Sequence, residues 1–155
     1  MAFTLTSPAF PNNGKIPEKY TCDGADRSPK LTWIEVPANT RSLALIADDP
    51  DAPAGVWTHW LIWNIPADAA NLPENTPKLT TLPSGARQGR NDFHRIGYAG
   101  PCPPPGTAHR YFFKLYALDA QLNLKAGASR ADLESATKPH ILAQAQTMGS
   151  YERTH

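Results

Sequence analysis

Two segments of the chain combine histidine with aspartate, proline and aromatic residues in a pattern that suits binding of a small anion. The first, Asp49–Trp60, has an acidic turn interrupted by prolines and then His59. The second, Gly100–Tyr111, has four prolines and ends on a histidine, an arginine and a tyrosine. Imidazole, phenol and backbone N–H groups are suitable donors to phosphate oxygens. The two segments together therefore predict one anion site.

The first segment places a histidine next to two carboxylates. Strict strand alternation puts His59 on one face with a set of apolar residues, Trp57, Leu61, Trp63 and Ile65. A histidine in such surroundings needs hydrogen-bond partners. We expect Asp49 and Asp51 to orient the ring and raise its pKa, leaving the other nitrogen for a ligand. The alternative is a half-buried histidine that only forms hydrogen bonds with the turn. If His59 is considered without the other residues, this alternative is favoured.

The second segment is a stiff loop that leads into a strand. Prolines fix φ and remove N–H groups, so Gly100–Gly106 costs little entropy to hold in place, which suits either a preformed ligand site or a rigid hairpin without a ligand. Alternation points His109 and Tyr111 to the same side and Arg110 to the other. We expect the first two to face a pocket and Arg110 to form a structural pair.

Several other chemistries lack their sequence patterns. The chain has no glycine-rich phosphate loop with lysine, no nucleophile elbow and no His-Glu-x-x-His motif. Two histidines far apart are weak evidence for a metal site. We therefore predict a binding protein, not an enzyme, with no metal and no cofactor.

Composition and charge narrow the partners and the location. With 41% hydrophobic and 19% charged residues, the 155-residue chain is typical of one globular domain, residues 1–155. A net charge of +1 provides no basic surface for nucleic acid. No apolar run is long enough to span a membrane, and the first residues lack the features of an export signal. We predict a cytoplasmic protein.

The sequence does not show whether the two cysteines are free thiols or form a disulfide. Cys22 and Cys102 are too few for a disulfide scaffold and lack the spacing of a zinc finger. They could pair, but spacing cannot place them within reach of each other. Nothing in the sequence indicates an oxidising compartment, so free thiols are favoured.

The elements that must position these residues are mostly strands. The patterning predicts strands at residues 3–6, 31–34, 43–47, 56–65 and 110–116, with irregular connections over 66–92. Ser129 can cap a C-terminal helix, which Pro139 interrupts. A second helix would then carry its apolar residues on one face and end at Gly149. The expected fold is mainly β, with two packed antiparallel sheets or an open barrel and one or two short C-terminal helices.

These segments resemble the phosphatidylethanolamine-binding protein family, which includes the Raf kinase inhibitor proteins, and in particular its compact bacterial and archaeal members. The resemblance covers nearly the whole chain. It rests on Tyr20–Gly24, Asp49–Pro53 followed by His59-Trp60-Leu61, Asn91-Asp92-Phe93, and the specific Gly-Pro-Cys-Pro-Pro…His-Arg-Tyr pattern of Gly100–Tyr111.

The resemblance implies a two-sheet sandwich with a pocket at one end for phosphate-like or acetate-like ligands. Carried over by position, the ligand-binding residues would be Asp49, Asp51, Pro53, His59, Gly100, Pro101, Cys102, Pro103, His109 and Tyr111. It also raises the chance of a cis bond at Ala52–Pro53. Only five residues separate Pro53 from His59, fewer than in the animal members, and we expect this chain to lack the extended C-terminal helix of those proteins. Both differences weaken the case for kinase regulation and for true phospholipid binding.

Four functions remain in competition. A small-anion binding module that modulates a protein partner is the leading hypothesis. Inhibition of a serine protease or a kinase through the rigid loop is the alternative, and an Asp/His hydrolase is less favoured because nothing positions a general base against a nucleophile. The fourth is a self-associating structural domain. The family implies a homodimer. Alternation puts Trp60 on the opposite strand face from Trp57 and Trp63, and one of these faces would be the dimer surface unless both are core.

Overall fold

A computed structural model describes residues 2–153 and confirms the mainly β, two-sheet architecture. Within those residues there are nine strands, one α-helix and two single turns of 3-10 helix at Glu18–Tyr20 and Lys138–His140. The strands are β1 (Thr4–Thr6), β2 (Gly14–Lys15), β3 (Leu31–Ile34), β4 (Ser42–Asp49), β5 (Trp57–Pro66), β6 (Asn71–Leu72), β7 (Arg87–Gln88), β8 (His109–Leu118) and β9 (Ile141–Tyr151). The helix, α1, spans Arg130–Thr137.

The larger sheet holds the residues of interest. Its six strands run in the order β2-β9-β8-β4-β5-β7, and the smaller sheet has the order β1-β3-β6. All pairings are antiparallel except that of β2 with β9, which is parallel. The larger sheet is therefore mixed, whereas the sequence predicts a purely antiparallel one. Strand β4 lies between β5 and β8, which brings the start of each of those strands to the end of β4.

Strand β4 is buried on both faces, as its continuous apolar run predicts. One face packs between the two sheets with Trp60 and Phe113. The other packs against α1 through Trp63 and Leu133. Because Trp60 and Trp63 are both completely buried, each face of β5 is core at these positions. They offer no surface to a second subunit, and the expected homodimer remains a prediction.

Two irregularities in β5 overturn the strict alternation assumed from the sequence. Ala47 is opposite Trp60 while Asp48 is opposite Thr58, so His59 is an extra residue in a β-bulge. The bulge turns His59 toward the space between the sheets, away from Leu61 and Trp63, which pack on the helix side. The prediction that His59 shares its face with those two residues is wrong. A second irregularity near Asn64 returns Ile65 to the inter-sheet face.

The second C-terminal helix is also a wrong prediction, because residues 141–151 form β9. Burial there alternates with period two: Ala145, Thr147 and Gly149 are buried, whereas Gln144 and Gln146 are exposed. The strand pairs with β8 along its length. Gly149 does not end a helix: a Cβ there would collide with Ile16 and Phe10. The first helix is confirmed, and the Ser129 hydroxyl accepts a hydrogen bond from the Asp132 N–H at 3.2 Å.

No helix within residues 2–153 has the length and apolar character required to cross a membrane.

Truncation of the buried leucine that packs α1 against the larger sheet should destabilise the fold strongly. Leu133 is completely buried against the sheet, so Leu133→Ala should reduce the free energy of unfolding by about 2–5 kcal/mol. Leu142→Ala is the matched control, because that leucine is 42% exposed and should cost below about 1 kcal/mol. Urea unfolding monitored by circular dichroism gives both values. Equal losses would contradict the packing of α1 described here.

Candidate ligand-binding site

A cavity of about 340 Å³ opens where β4 ends and where β5 and β8 begin. Its size falls in the range of small-molecule sites. The two histidine-containing segments meet at this cavity, as the sequence predicts. The lining residues are Asp49, Ala52, Pro53, Ala54, Trp57, His59, Phe93, Cys102, Pro103, Pro104, His109 and Tyr111. Seven of the ten predicted site residues are among them.

Asp49 and His109 form a buried pair at the cavity wall. His109 Nδ1 lies 2.6 Å from Asp49 Oδ2, and each side chain is 5% exposed. Asp49 Oδ1 accepts the Asp51 N–H at 2.7 Å, which fixes the carboxylate at the turn. An ionised carboxylate can only accept, so Nδ1 of His109 carries the hydrogen. This fixes the tautomer and leaves His109 Nε2 open to the cavity.

His59 is held differently from the expectation. Its Nδ1 lies 2.6 Å from the backbone oxygen of Ala99, and neither Asp49 nor Asp51 bonds to the ring. The carbonyl can only accept, so Nδ1 again carries the hydrogen and Nε2 is free. Burial lowers the pKa of His59 despite the nearby carboxylates, so the ring is neutral at pH 7. The expected rise in its pKa is wrong.

Asp51 lies outside the cavity, contrary to the prediction. It forms a two-pronged ion pair with Arg110, at 2.9 Å from Nε and 2.8 Å from Nη2, and also accepts the Arg110 backbone N–H. These bonds lower the pKa of Asp51 to about 2. The pair joins the acidic turn to the start of β8. Arg110 thus has the structural partner expected for it. Asp51 holds the acidic turn against the start of β8 without lining the cavity.

Gly100 and Pro101 also lie outside the cavity. The Gly100 N–H donates to Asp26 Oδ1 at 2.8 Å, and its α-carbon packs against the Tyr20 carbonyl so closely that a side chain would not fit. The carbonyl of Pro101 accepts the Cys22 N–H. These two residues hold the loop and do not line the cavity.

Cys102 lines the cavity and is joined to Cys22 by a disulfide, with the two α-carbons 5.4 Å apart. The preference for free thiols is therefore wrong. Sequence spacing could not show it, because 80 residues separate the two cysteines. A disulfide is typical of oxidising compartments, with hyperthermophile interiors as an exception, and so weighs against the predicted cytoplasmic location. The resemblance raises the chance of a cis bond at Ala52–Pro53, but residues 2–153 contain no cis peptide bond.

The aromatic wall of the site is the part that sequence reasoning missed. Trp57 and His59 each make an edge contact with Phe93 at 5.4 Å between ring centroids. Phe93 is brought there by its neighbour Asp92, whose carboxylate and N–H bond the backbone of Thr58. The Asn91-Asp92-Phe93 motif was the available signal. Ala52, Ala54 and Pro104 complete the missed set.

Two buried donors at the cavity have no partner within residues 2–153. These are the indole N–H of Trp57 and the hydroxyl of Tyr111. Burial and the adjacent Asp49 raise the pKa of Tyr111, so its hydroxyl stays protonated. Unsatisfied buried donors are rare in native structures, and such groups are commonly bonded to an ordered water or an ion. No group of three or more His, Cys, Asp or Glu side chains in that part of the chain could hold a metal ion.

A sequence model of the phosphatidylethanolamine-binding proteins matches residues 6–152. The chain belongs to this family. A UPF0098 protein of Methanothermobacter thermautotrophicus is 54% identical over 149 residues, covering 96% of this chain and 98% of the relative. A UPF0098 protein of Aquifex aeolicus is 51% identical over 149 residues, covering 95% of this chain and 86% of the relative.

Two solved structures share the fold of this family. A phosphatidylethanolamine-binding protein homologue from Chlamydia trachomatis has a TM-score of 0.89 and 41% identity, with 98% of each chain covered. YbcL of E. coli, described as a new member of the mammalian family, has a TM-score of 0.92 and 35% identity, covering 99% of this chain and 100% of YbcL. None of these names states a catalytic activity. The compact microbial identity predicted from the motifs is confirmed.

Burial of neutral His59 should make the fold less stable in weak acid. The unfolded chain binds a proton near the ordinary pKa of 6.5, whereas the folded chain does so only at lower pH. Stability contributed by the neutral ring is therefore complete above about pH 6.5 and is lost as the pH falls below it. Wild type should lose more stability than His59→Gln between pH 7.5 and 5, measured by urea unfolding. Asp51 titrates near pH 2 and does not interfere.

His140→Gln is the matched control, because His140 forms an exposed pair with Asp119 far from the cavity. Identical pH dependence in wild type and His59→Gln would contradict the burial of a neutral ring.

Proposed function

We propose that this protein is a non-catalytic binding protein whose cavity takes a small molecule bearing a phosphate or carboxylate group. One observation carries the proposal. His59 and His109, from two distant segments, each bond through Nδ1 and leave Nε2 free at the same cavity. Trp57 and Tyr111 add two buried donors without partners.

The chemistry of these groups favours binding over catalysis. The residues lining the cavity include no serine, threonine or free cysteine, because Cys102 is disulfide-bonded. The Asp49–His109 pair thus has no side-chain nucleophile to activate. A preformed cavity with apolar walls and a few fixed polar groups is typical of a small-ligand site. The aromatic and proline walls suit an organic group attached to the anion.

Binding of a fully ionised ligand should require a proton. With Nδ1 as the protonated nitrogen, a neutral imidazole presents a lone pair at Nε2, which repels an anionic oxygen. The repulsion is removed when the ring or the ligand oxygen takes up a proton. We therefore expect the affinity for a phosphomonoester to increase as the pH falls from 8 to 6.

Titration calorimetry with phosphoethanolamine tests the proposal. Wild type should bind in about a one-to-one ratio, more tightly at pH 6 than at pH 8, and with proton uptake visible as a dependence of the heat on the buffer. His109→Gln should weaken binding at least tenfold, since charge-assisted hydrogen bonds contribute about 1.5–3 kcal/mol. His140→Gln, which alters an exposed histidine–aspartate pair, should bind as wild type does.

A second control separates the cavity from its support. Asp51→Asn removes the ionic pairing with Arg110 outside the cavity, and should lower stability by up to about 1 kcal/mol while leaving affinity within about threefold. If wild type and His109→Gln bind equally well, or if neither binds, the assignment of the cavity to a small anion is wrong.

Inhibition of a serine protease is the second candidate, and the loop next to the cavity favours it. Residues 104–108 are all exposed, and three of the five residues from Cys102 to Gly106 are prolines, so docking would order few side chains. A kinase is the other target class suggested by the family.

If the loop inhibits, His109→Gln should inhibit trypsin as wild type does, whereas replacement of Pro104 and Pro105 by glycine should weaken inhibition. No inhibition by wild type would remove this candidate.

A further inference from the structure

The disulfide is placed where it controls the cavity wall. Cys102 lines the cavity, whereas Cys22 lies in an exposed turn on the outside. Between Cys102 and the start of β8, the described structure has one backbone hydrogen bond to the rest of the protein, from the Gly106 N–H to the Arg153 carbonyl at 3.2 Å. The disulfide is therefore the covalent cross-link that holds this segment, in addition to the packing of buried Pro103.

The surroundings of the two sulfurs are unequal. The guanidinium of Arg153 lies 3.7 Å from Cys102 Sγ and is held in place by Asp23 at 3.1 Å. A nearby cation stabilises a thiolate, and a thiol with a low pKa is the better leaving group in exchange. An attacking thiolate reaches exposed Cys22 most easily. Access and leaving-group stabilisation thus favour the same direction of attack.

We propose that Cys22–Cys102 is a thiol–disulfide exchange site for a dithiol reductant, and that its redox state controls ligand binding in the cavity. One thiolate of the reductant attacks Cys22 Sγ and forms a mixed disulfide, while Cys102 leaves as a thiolate beside Arg153. The second thiol of the reductant loses its proton and attacks the mixed disulfide. Cys22 then leaves as a thiol, and the reductant ends as a disulfide. Two electrons pass to the protein.

Reduction should weaken the ligand site for two reasons. The segment that contributes Pro103 and Pro104 to the wall loses its covalent tie to the Cys22 turn. The Cys102 thiolate also adds negative charge beside the cavity, which opposes an anion. By linkage, ligand binding must make the disulfide harder to reduce by the same factor by which reduction weakens ligand binding. This regulatory half rests on the proposed function, whereas the exchange chemistry does not.

Trapping with glutathione tests the exchange site. Folded, oxidised protein is incubated with glutathione, alkylated with iodoacetamide and analysed by peptide mass spectrometry. Glutathione should be found on Cys22, with the alkyl group on Cys102. Reduction by dithiothreitol should be at least threefold slower in Arg153→Gln than in wild type and partly restored in Arg153→Lys, with Arg110→Gln as the matched arginine control. Glutathione mainly on Cys102, or unchanged rates in Arg153→Gln, would overturn the proposed direction.

Calorimetry with phosphoethanolamine on the oxidised protein and on the protein kept reduced in dithiothreitol, with free thiols, tests the regulatory half, after circular dichroism confirms that both are folded. Affinity should fall at least tenfold on reduction. The Cys22→Ser/Cys102→Ser variant, which has no reactive thiols, should show part of that loss. Equal affinity in both redox states overturns the regulation. No binding in either state defeats the proposed function instead, and the glutathione result still decides the exchange site.

Discussion

The site depends on the position of β4 between β5 and β8. Antiparallel pairing on both sides brings the last residue of β4, Asp49, beside the first residues of two strands that are distant in the sequence. The Asp49–His109 bond then closes one side of the cavity. Because the larger sheet is buried on both faces at β4, this arrangement is fixed by the same packing that stabilises the fold.

The bulge at His59 adds a local exception that the site requires. Regular pairing would direct His59 to the helix side, where Leu61 and Trp63 pack tightly. The extra residue turns the ring toward Tyr111, with which it makes an edge contact at 5.3 Å. A β-bulge commonly redirects a side chain next to a functional site. The two imidazoles at the cavity thus have different origins, one from regular pairing and one from a break in it.

The parts of the fold that follow from local patterning were predictable. The apolar run of β4, the aromatic run of β5 and the Ser129 cap each carry a short-range signal, and the motifs of both segments indicate the family and most of the cavity. Features that depend on contacts between distant residues were not predictable in this way. The bulge, the Ala99 partner of His59, the disulfide and the strand character of β9 are set by neighbours in space. Pro139 suggested a helix boundary but not that β8 would pair with the residues that follow.

The run of prolines beside the cavity also governs which spectroscopic probes can follow this wall. Of residues 101–105 only Cys102 has an amide hydrogen, because the other four are prolines. Spectra that detect the amide proton, and amide hydrogen exchange, will therefore report only Cys102 in this stretch. Carbon-detected spectra, or the ring signals of His59 and His109, are the suitable reporters of events there.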